Sequence, residues 1–163
     1  MLFRSTSRIK SRFYFAAALI ALAAVLIGFW KTFILPSFRG TFEAPLVIYV
    51  HGAFLFLWTL LLVLQSVLVH KRKIKVHRTI GYFGLAIAAG VIISTPAAGV
   101  YVLRRDIAEQ GQIAISSLLG TFLTPTVFAI LVAAAVKYRW RPEIHKRLMV
   151  LAMIAIMWPA FFR

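Results

Sequence analysis

Long runs of apolar residues alternate with short polar segments along this chain. The clearest run extends from Pro45 to Val69 and is followed directly by a basic stretch from His70 to Arg78. A helix of this length would measure ~37 Å, which is enough to cross a hydrocarbon core of ~30 Å with some tilt. The pattern therefore predicts helices that span a membrane.

Applied to the whole chain, the pattern predicts an all-α protein, a polytopic transmembrane helix bundle of about five helices. Their expected ranges are 13–30, 45–69, 79–102, 113–136 and 148–162, within a single bundle over residues 1–163. The first run ends without a small-residue cleavage site, which favours a retained helix over a signal peptide. The last run would form a helix of only ~22 Å. Either Arg163 reaches a thinned interface, or the chain continues beyond it, and we favour the second interpretation.

Composition agrees with a membrane protein and narrows the classes of partner. The chain is 62% hydrophobic and 14% charged, whereas soluble domains are about half apolar and a quarter charged. A net charge of +15 would suggest nucleic acid in a soluble protein. Here the basic residues lie between apolar runs, so membrane topology explains them better and no nucleic-acid partner is expected. The absence of cysteine excludes disulfides and cysteine-ligated metal sites.

The basic residues also predict the orientation of the chain. Lys and Arg number 4, 2, 5, 2 and 5 in the successive polar segments, starting from the N-terminus. Because short basic segments stay in the cytoplasm, the N-terminus is expected there, with five crossings and an external C-terminus. The lipid bilayer is the primary partner, and anionic lipids should be attracted at the cytoplasmic face by about 1 kcal/mol per basic residue.

Small and polar residues predict which helix faces contact protein rather than lipid. The third helix carries a strip of small residues four positions apart: Ala86, Gly90, Ser94 and Ala98. The second helix carries two stripes at heptad spacing, one of His51, Trp58 and Gln65 and one of Gly52, Thr59 and Ser66. Since His and Gln are costly against lipid, both stripes should face other helices.

Depth along the helices predicts a polar cluster in the outer half of the membrane. His51 lies ~9 Å from the start of its helix, with Thr95 at a similar depth and Thr121 at ~12 Å on the next two helices. With Ser94, these residues would line a polar cavity. An ionisable side chain inside a span is a functional candidate. The simpler interpretation of His51 is an interhelical hydrogen bond to a hydroxyl or carbonyl.

A second group of histidines lies at the cytoplasmic helix ends. His77-Arg78 and His145-Lys146-Arg147 open the third and fifth helices in similar settings. Two imidazoles at matched depth on neighbouring helices can supply both axial ligands of a b-type haem. The alternative is that both are interfacial histidines that touch lipid headgroups. We expect no dedicated metal-ion site, because only Glu143 is a carboxylate close to them.

The strings VHRTIG at 76–81 and EIHKRLM at 143–149 resemble a group of uncharacterised bacterial multi-pass inner-membrane proteins. Those proteins carry H-R-x-x-G and H-K/R-R-L-M strings at cytoplasmic helix starts, and His51-Gly52 also fits their pattern. The likeness covers residues 45–163. The group is more distantly similar to cytochrome b561-type and ferric-reductase-like bundles, whose helix-borne histidines bind haem. It implies a bacterial inner-membrane location and haem ligation by His77, His145 and His51. His51 has no second outer histidine, so an outer bis-histidine site is not implied.

These observations predict an inner-membrane protein that is a b-type haem or quinone-linked electron-transfer component, with no assigned reaction. The alternative is a non-enzymatic small-solute permease, or an accessory or assembly subunit of a membrane complex. The permease would use His51, Ser94, Thr95 and Thr121 as its polar lining. A membrane-protein partner or a second copy of the chain suits either role.

Overall fold

The computed structural model describes the backbone of residues 2–161 and the side chains of residues 13–158. Over this range the regular structure is helical and no β-strand occurs, which confirms the predicted all-α class. The helices are α1 (Leu2–Phe29), α2 (Leu35–Phe38), α3 (Leu46–His70), α4 (Ile74–Gln110), α5 (Gln112–Lys137) and α6 (Pro142–Phe161). The basic side chains predicted to hold the N-terminus inside, and Phe162 and Arg163, lie outside the described residues.

Four helical segments among the described residues are long and apolar enough to cross a membrane. They are Phe13–Phe38, Leu46–His70, Ile74–Gln110 and Gln112–Lys137. Large apolar side chains such as Ile27, Leu57, Phe83 and Ile130 are exposed on them, as contact with lipid requires. α6 has 20 residues and begins with a polar turn, and it is not among the four. The fifth crossing stays a prediction.

The first predicted link is partly helical. A π-helical turn, Trp30–Ile34, continues α1 into α2. Pro36 has no N–H group and cannot donate to the carbonyl of Thr32, so the helical ladder is interrupted at this point. The N–H of Leu35 instead reaches the carbonyl of Trp30, five residues back. The helical path therefore extends to Phe38, eight residues beyond the predicted end at Trp30.

Four further boundaries differ from the predicted ones. α1 begins at Leu2 instead of 13, and α4 begins at Ile74 instead of 79, so both basic segments are partly helical. α4 continues through most of the predicted link to Gln110, because Arg and Glu are good helix formers. It ends at Gly111, whose φ of 50° lies in the left-handed region. α6 begins at Pro142 instead of 148, since proline suits the first helical position. Glu143 in that turn forms an ion pair with Lys146 at 2.6 Å.

The described residues form two compact units. Unit 1 contains the described residues up to Phe42, Phe56–Ala86 and the described residues from Met157 onward. Unit 2 contains Glu43–Leu55 and Ile87–Ile156. α3 and α4 thus contribute one part of their length to each unit.

A tight turn joins α3 to α4 in unit 1. Arg72 has a left-handed backbone with φ 58°, a conformation usually taken by glycine. The N–H groups of Arg72 and Lys73 bond the carbonyls of Val69 at 3.0 Å and Leu68 at 2.8 Å. This is the Schellman arrangement, in which the chain leaving a helix satisfies the last carbonyls of that helix. Because the turn is short, α3 and α4 are antiparallel neighbours in unit 1.

The α3–α4 contact forms the interior of unit 1. Gly84 approaches Leu61 so closely that a side chain at position 84 would displace the leucine. Trp58 is 1% exposed and lies one turn from Leu61, and Thr59 is also buried. The predicted stripes of α3 therefore do face protein at these positions.

Two glycines of α4 allow close contacts between helices in unit 2. Gly90 contacts the ring of Phe54 on α3, and Gly99 contacts Thr121 on α5. Ser94 and Ala98 of the predicted small-residue strip are buried, whereas Ala86 is exposed and does not belong to a packed face. The strip therefore packs only from Gly90 onward, one turn after Ala86, which is the last α4 residue of unit 1.

Candidate functional site

His51 of α3 makes a direct contact with α4 inside unit 2. Its Nδ1 lies 3.1 Å from the hydroxyl oxygen of Ser94, which is 7% exposed. The Ser94 hydroxyl also lies 3.4 Å from the carbonyl oxygen of Val91, to which it donates. The Ser94 hydroxyl therefore connects the His51 ring of α3 to the backbone of α4. The interhelical hydrogen bond to a hydroxyl, one of the two interpretations of His51, is present.

Thr95 and Thr121 lie in the same unit but direct their hydroxyls to their own helices. Thr95 donates to Val91 at 2.6 Å, and Thr121 donates to Ser117 at 3.1 Å. Pro96 has no N–H group, so the carbonyl of Ile92 lacks its usual helical donor. Val91 directly precedes Ile92. Thr121 packs against Gly99, one turn beyond Thr95. The four predicted residues thus share one unit, and the hydrogen bond between His51 and Ser94 joins two of them across α3 and α4.

His145 is held by the end of α5. Its Nδ1 lies 2.8 Å from the carbonyl oxygen of Ala135. α5 ends at Lys137, so this carbonyl is among the last four and lacks a helical donor. A carbonyl can only accept, so Nδ1 carries the proton and Nε2 carries the lone pair in the neutral ring. His145 therefore caps α5 and is also fixed in the orientation that metal-bound histidines commonly have.

His77 lies in unit 1, at the fourth position of α4. It is half-buried and lies seven residues, two helical turns, from Gly84 on the same helix face. His77 and His145 belong to different units, and their joint ligation of one haem stays a prediction. His70, at the end of α3, is exposed.

Two of the four carboxylates of the chain form ion pairs with neighbouring cations. Asp106 accepts from Arg105 at 2.5 and 3.0 Å, and Glu143 accepts from Lys146 at 2.6 Å. Among residues 13–158, no group of three or more His, Cys, Asp or Glu side chains is placed to hold a metal ion.

Gln65 is a candidate that the sequence assigned only to helix packing. It is 8% exposed, and within the described residues neither polar atom of its amide has a hydrogen-bond partner. The heptad stripe with Trp58 indicated its burial. Whether its amide finds a partner depends on the side chains that other helices place beside it. The sequence of α3 alone does not indicate those side chains.

Comparison with protein-family models, with curated proteins and with solved structures gives no match to this chain. The assignment of function therefore depends on the residues themselves.

Proposed function

We propose that this chain is an electron-transfer component of the bacterial inner membrane that binds a b-type haem. His145 and His77 are the proposed axial ligands, and His51 is a further candidate ligand. The four long apolar helical segments support residence in a bilayer. Charge distribution supports the N-terminus in the cytoplasm, because the basic segments alternate with less basic ones.

The orientation of His145 is the observation that carries this proposal. Donation from Nδ1 to the Ala135 carbonyl at 2.8 Å fixes the tautomer and the plane of the ring. The same hydrogen bond makes Nε2 a stronger ligand, which is how outer partners tune histidines at metal centres. A bound haem would supply one-electron chemistry at its iron, and a helix end rich in Lys and Arg would favour the anionic haem propionates.

The experiment is a reduced-minus-oxidised absorption spectrum of protein purified from cells with ample haem. We expect a b-type spectrum in the wild type and in His70→Ala, the matched control at an exposed position. The signal should be lost in His77→Ala and His145→Ala. A colourless wild-type preparation would refute the proposal.

A further variant separates ligation from helix capping. His145→Gln retains a side-chain donor for Ala135 but offers no imidazole nitrogen. It should lose the haem spectrum, while in haem-free preparations its thermal unfolding stays close to that of the wild type. Retention of the spectrum in His145→Gln would exclude His145 as a ligand.

The second candidate function is a small-solute permease or an accessory subunit. The hydrogen bond between His51 and Ser94 inside unit 2 supports it, since polar side chains within spans are unusual unless they serve packing or transport. A permease should make proteoliposomes swell in glycerol, and His51→Phe should abolish the swelling without changing far-UV circular dichroism. Unchanged swelling in that variant would exclude a role for His51 in transport.

The exposed basic residues of the α3–α4 turn support a preference for anionic lipids. Lys71, Arg72 and Lys73 are all exposed, and each basic residue near a membrane surface contributes about 1 kcal/mol to attraction. Lipid that copurifies with the protein should therefore be enriched in anionic species. Replacement of the three residues by Gln should remove the enrichment.

A further inference from the structure

The α5–α6 turn, residues 138–141 of unit 2, presents cationic and aromatic side chains at the end of a long apolar helix. α5 ends at Lys137 and measures ~39 Å, more than a hydrocarbon core of ~30 Å requires. In a bilayer, the turn that follows is therefore at the level of the lipid headgroups. Lys137, Arg139 and Arg141 are exposed there, and Trp140 is 66% exposed.

Backbone hydrogen bonds place Arg139 and Trp140 at the tip of this turn. The N–H of Arg141 donates to the carbonyl of Tyr138 at 2.8 Å, which closes a four-residue β-turn. Arg139 and Trp140 are its two central residues. The N–H of Arg139 donates to the carbonyl of Val136 at 3.2 Å, so the tip is also joined to the last turn of α5.

The guanidinium group of Arg139 is held by its neighbours. Its Nη1 donates to the carbonyl oxygen of Val136 at 3.3 Å. Its Cζ lies 5.3 Å from the centre of the Trp140 ring, within the range of a cation–π contact. A guanidinium carries five N–H donors in a planar fork, and the bond to Val136 uses one of them. A guanidinium held in this way loses less conformational freedom on binding a second partner than a mobile one does.

The charge of the surrounding segment favours a phosphate group as that partner. Residues 137–147 contain five Lys or Arg residues and a single carboxylate, that of Glu143, which forms an ion pair with Lys146. At the headgroup level of a bilayer, the phosphodiesters of phospholipids are the most abundant anionic groups. Two oxygens of a phosphate match the fork of an arginine in a bidentate hydrogen bond. Tryptophan also suits this level, because its ring is apolar and its N–H is polar.

We propose that the α5–α6 turn binds the phosphodiester of one phospholipid, with Arg139 as the bidentate donor and Trp140 against the glycerol region. Lys137 and Arg141 add positive charge on either side. This site differs from the α3–α4 turn, where net charge attracts anionic lipids. Here the phosphate itself is recognised, and zwitterionic lipids carry it too. The inference rests on residence in a bilayer and is independent of the haem assignment.

The test is titration of the purified full chain in detergent with short-chain phosphatidylethanolamine, with bound lipid counted by native mass spectrometry. This lipid has no net charge, so general attraction to basic residues contributes little. Arg139→Lys keeps the charge but loses the planar fork, and it should weaken binding by about tenfold or more. Arg72→Lys is the matched control, because it makes the same change at an exposed position of the other basic turn. The control should bind the lipid as the wild type does.

Two further probes separate the phosphate from the rest of the lipid. Diacylglycerol of the same chain length lacks the phosphate and should not bind at the concentrations that saturate the wild type with phosphatidylethanolamine. Inorganic phosphate lacks the glycerol and acyl chains and should not displace the bound lipid. Displacement by inorganic phosphate at matched concentration would assign the turn to a free phosphate and would overturn the lipid site.

A second variant addresses the role of the ring. Trp140→Ala removes the aromatic support of the guanidinium and should weaken binding severalfold. Far-UV circular dichroism should be unchanged in both variants, because both side chains are exposed. Equal binding by the wild type and Arg139→Lys, as expected if the turn attracts lipids or acidic proteins by charge alone, would overturn the inference. Neither residue is a proposed haem ligand, so weaker lipid binding with an unchanged haem spectrum concerns this site alone.

Discussion

The approach of α4 to α5 at Gly99 gives the sharpest test of helix packing in unit 2. A methyl group at position 99 would lie 2.9 Å from Cβ of Thr121 and closer still to the hydroxyl and methyl groups beyond it. The Cβ atom cannot move without its backbone, so the helices must separate. Overpacking of this kind costs about 1–3 kcal/mol. The higher helix propensity of Ala offsets at most about 1 kcal/mol of this cost. We therefore expect Gly99→Ala to lower the free energy of unfolding by about 1–2 kcal/mol.

The assay is unfolding of the detergent-solubilised protein, followed by far-UV circular dichroism. Gly81→Ala is the matched control, because a Cβ there meets no atom within 4 Å. The control should unfold at the same or a higher free energy than the wild type. Thr121→Gly removes the opposing atoms and should restore part of the stability in the Gly99→Ala background, giving a favourable coupling in a double-mutant cycle. Equal stability of the Gly99→Ala and Gly81→Ala proteins would refute the close approach.

Three further outcomes are expected. Ser94→Ala removes the partner of His51 and should lower the free energy of unfolding by about 0.6–1.7 kcal/mol. If Ser94→Ala lowers stability equally in a His51→Phe background, the hydrogen bond is contradicted. Arg72→Gly should raise the free energy of unfolding by up to about 1 kcal/mol, since glycine takes a left-handed backbone without strain, and a lower melting temperature would argue against the Schellman turn. A topology reporter fused at Lys73 should be cytoplasmic and one at Gly111 external, and the reverse pattern would overturn the predicted orientation.

Matched controls exist for the first two of these measurements. Ser66→Ala removes a hydroxyl that bonds Val63 of its own helix, so it should change stability less than Ser94→Ala. Lys73→Gly adds a glycine beside Arg72 without relieving a left-handed residue. It should therefore lower the stability of the turn or leave it unchanged.

Hydropathy was sufficient to predict the fold class, because an unbroken apolar run of spanning length has few alternatives to a helix. It was insufficient for the helix ends. The charged residues Arg105 and Glu109 suggested a link, but they form helix readily, and α4 ends only where Gly111 adopts a positive φ. α6 begins before its apolar run for a similar reason, since the polar residues after Pro142 are helical.

The candidate sites could be predicted residue by residue but not contact by contact. Heptad spacing indicated that His51 and Gln65 face protein, since both are costly against lipid. It could not indicate that Ser94 meets His51 while Gln65 meets no partner, because that depends on the rotation of α4. The bond from His145 to Ala135 was similarly inaccessible, although a helix end followed by a nearby histidine is a usable signal for such a cap.

The length of α4 has a mechanical consequence. Its 37 residues form a continuous helix of ~55 Å, and a hydrocarbon core of ~30 Å covers little more than half of that. The charged tip at Arg105 and Asp106 belongs to the same rod as Ser94, interrupted only by the bend that Pro96 permits. A twist or pull applied to that tip from the aqueous phase would therefore be delivered to the contact with His51. α4 is thus one element that connects an exposed, charged end to the contact with His51 in the interior of unit 2.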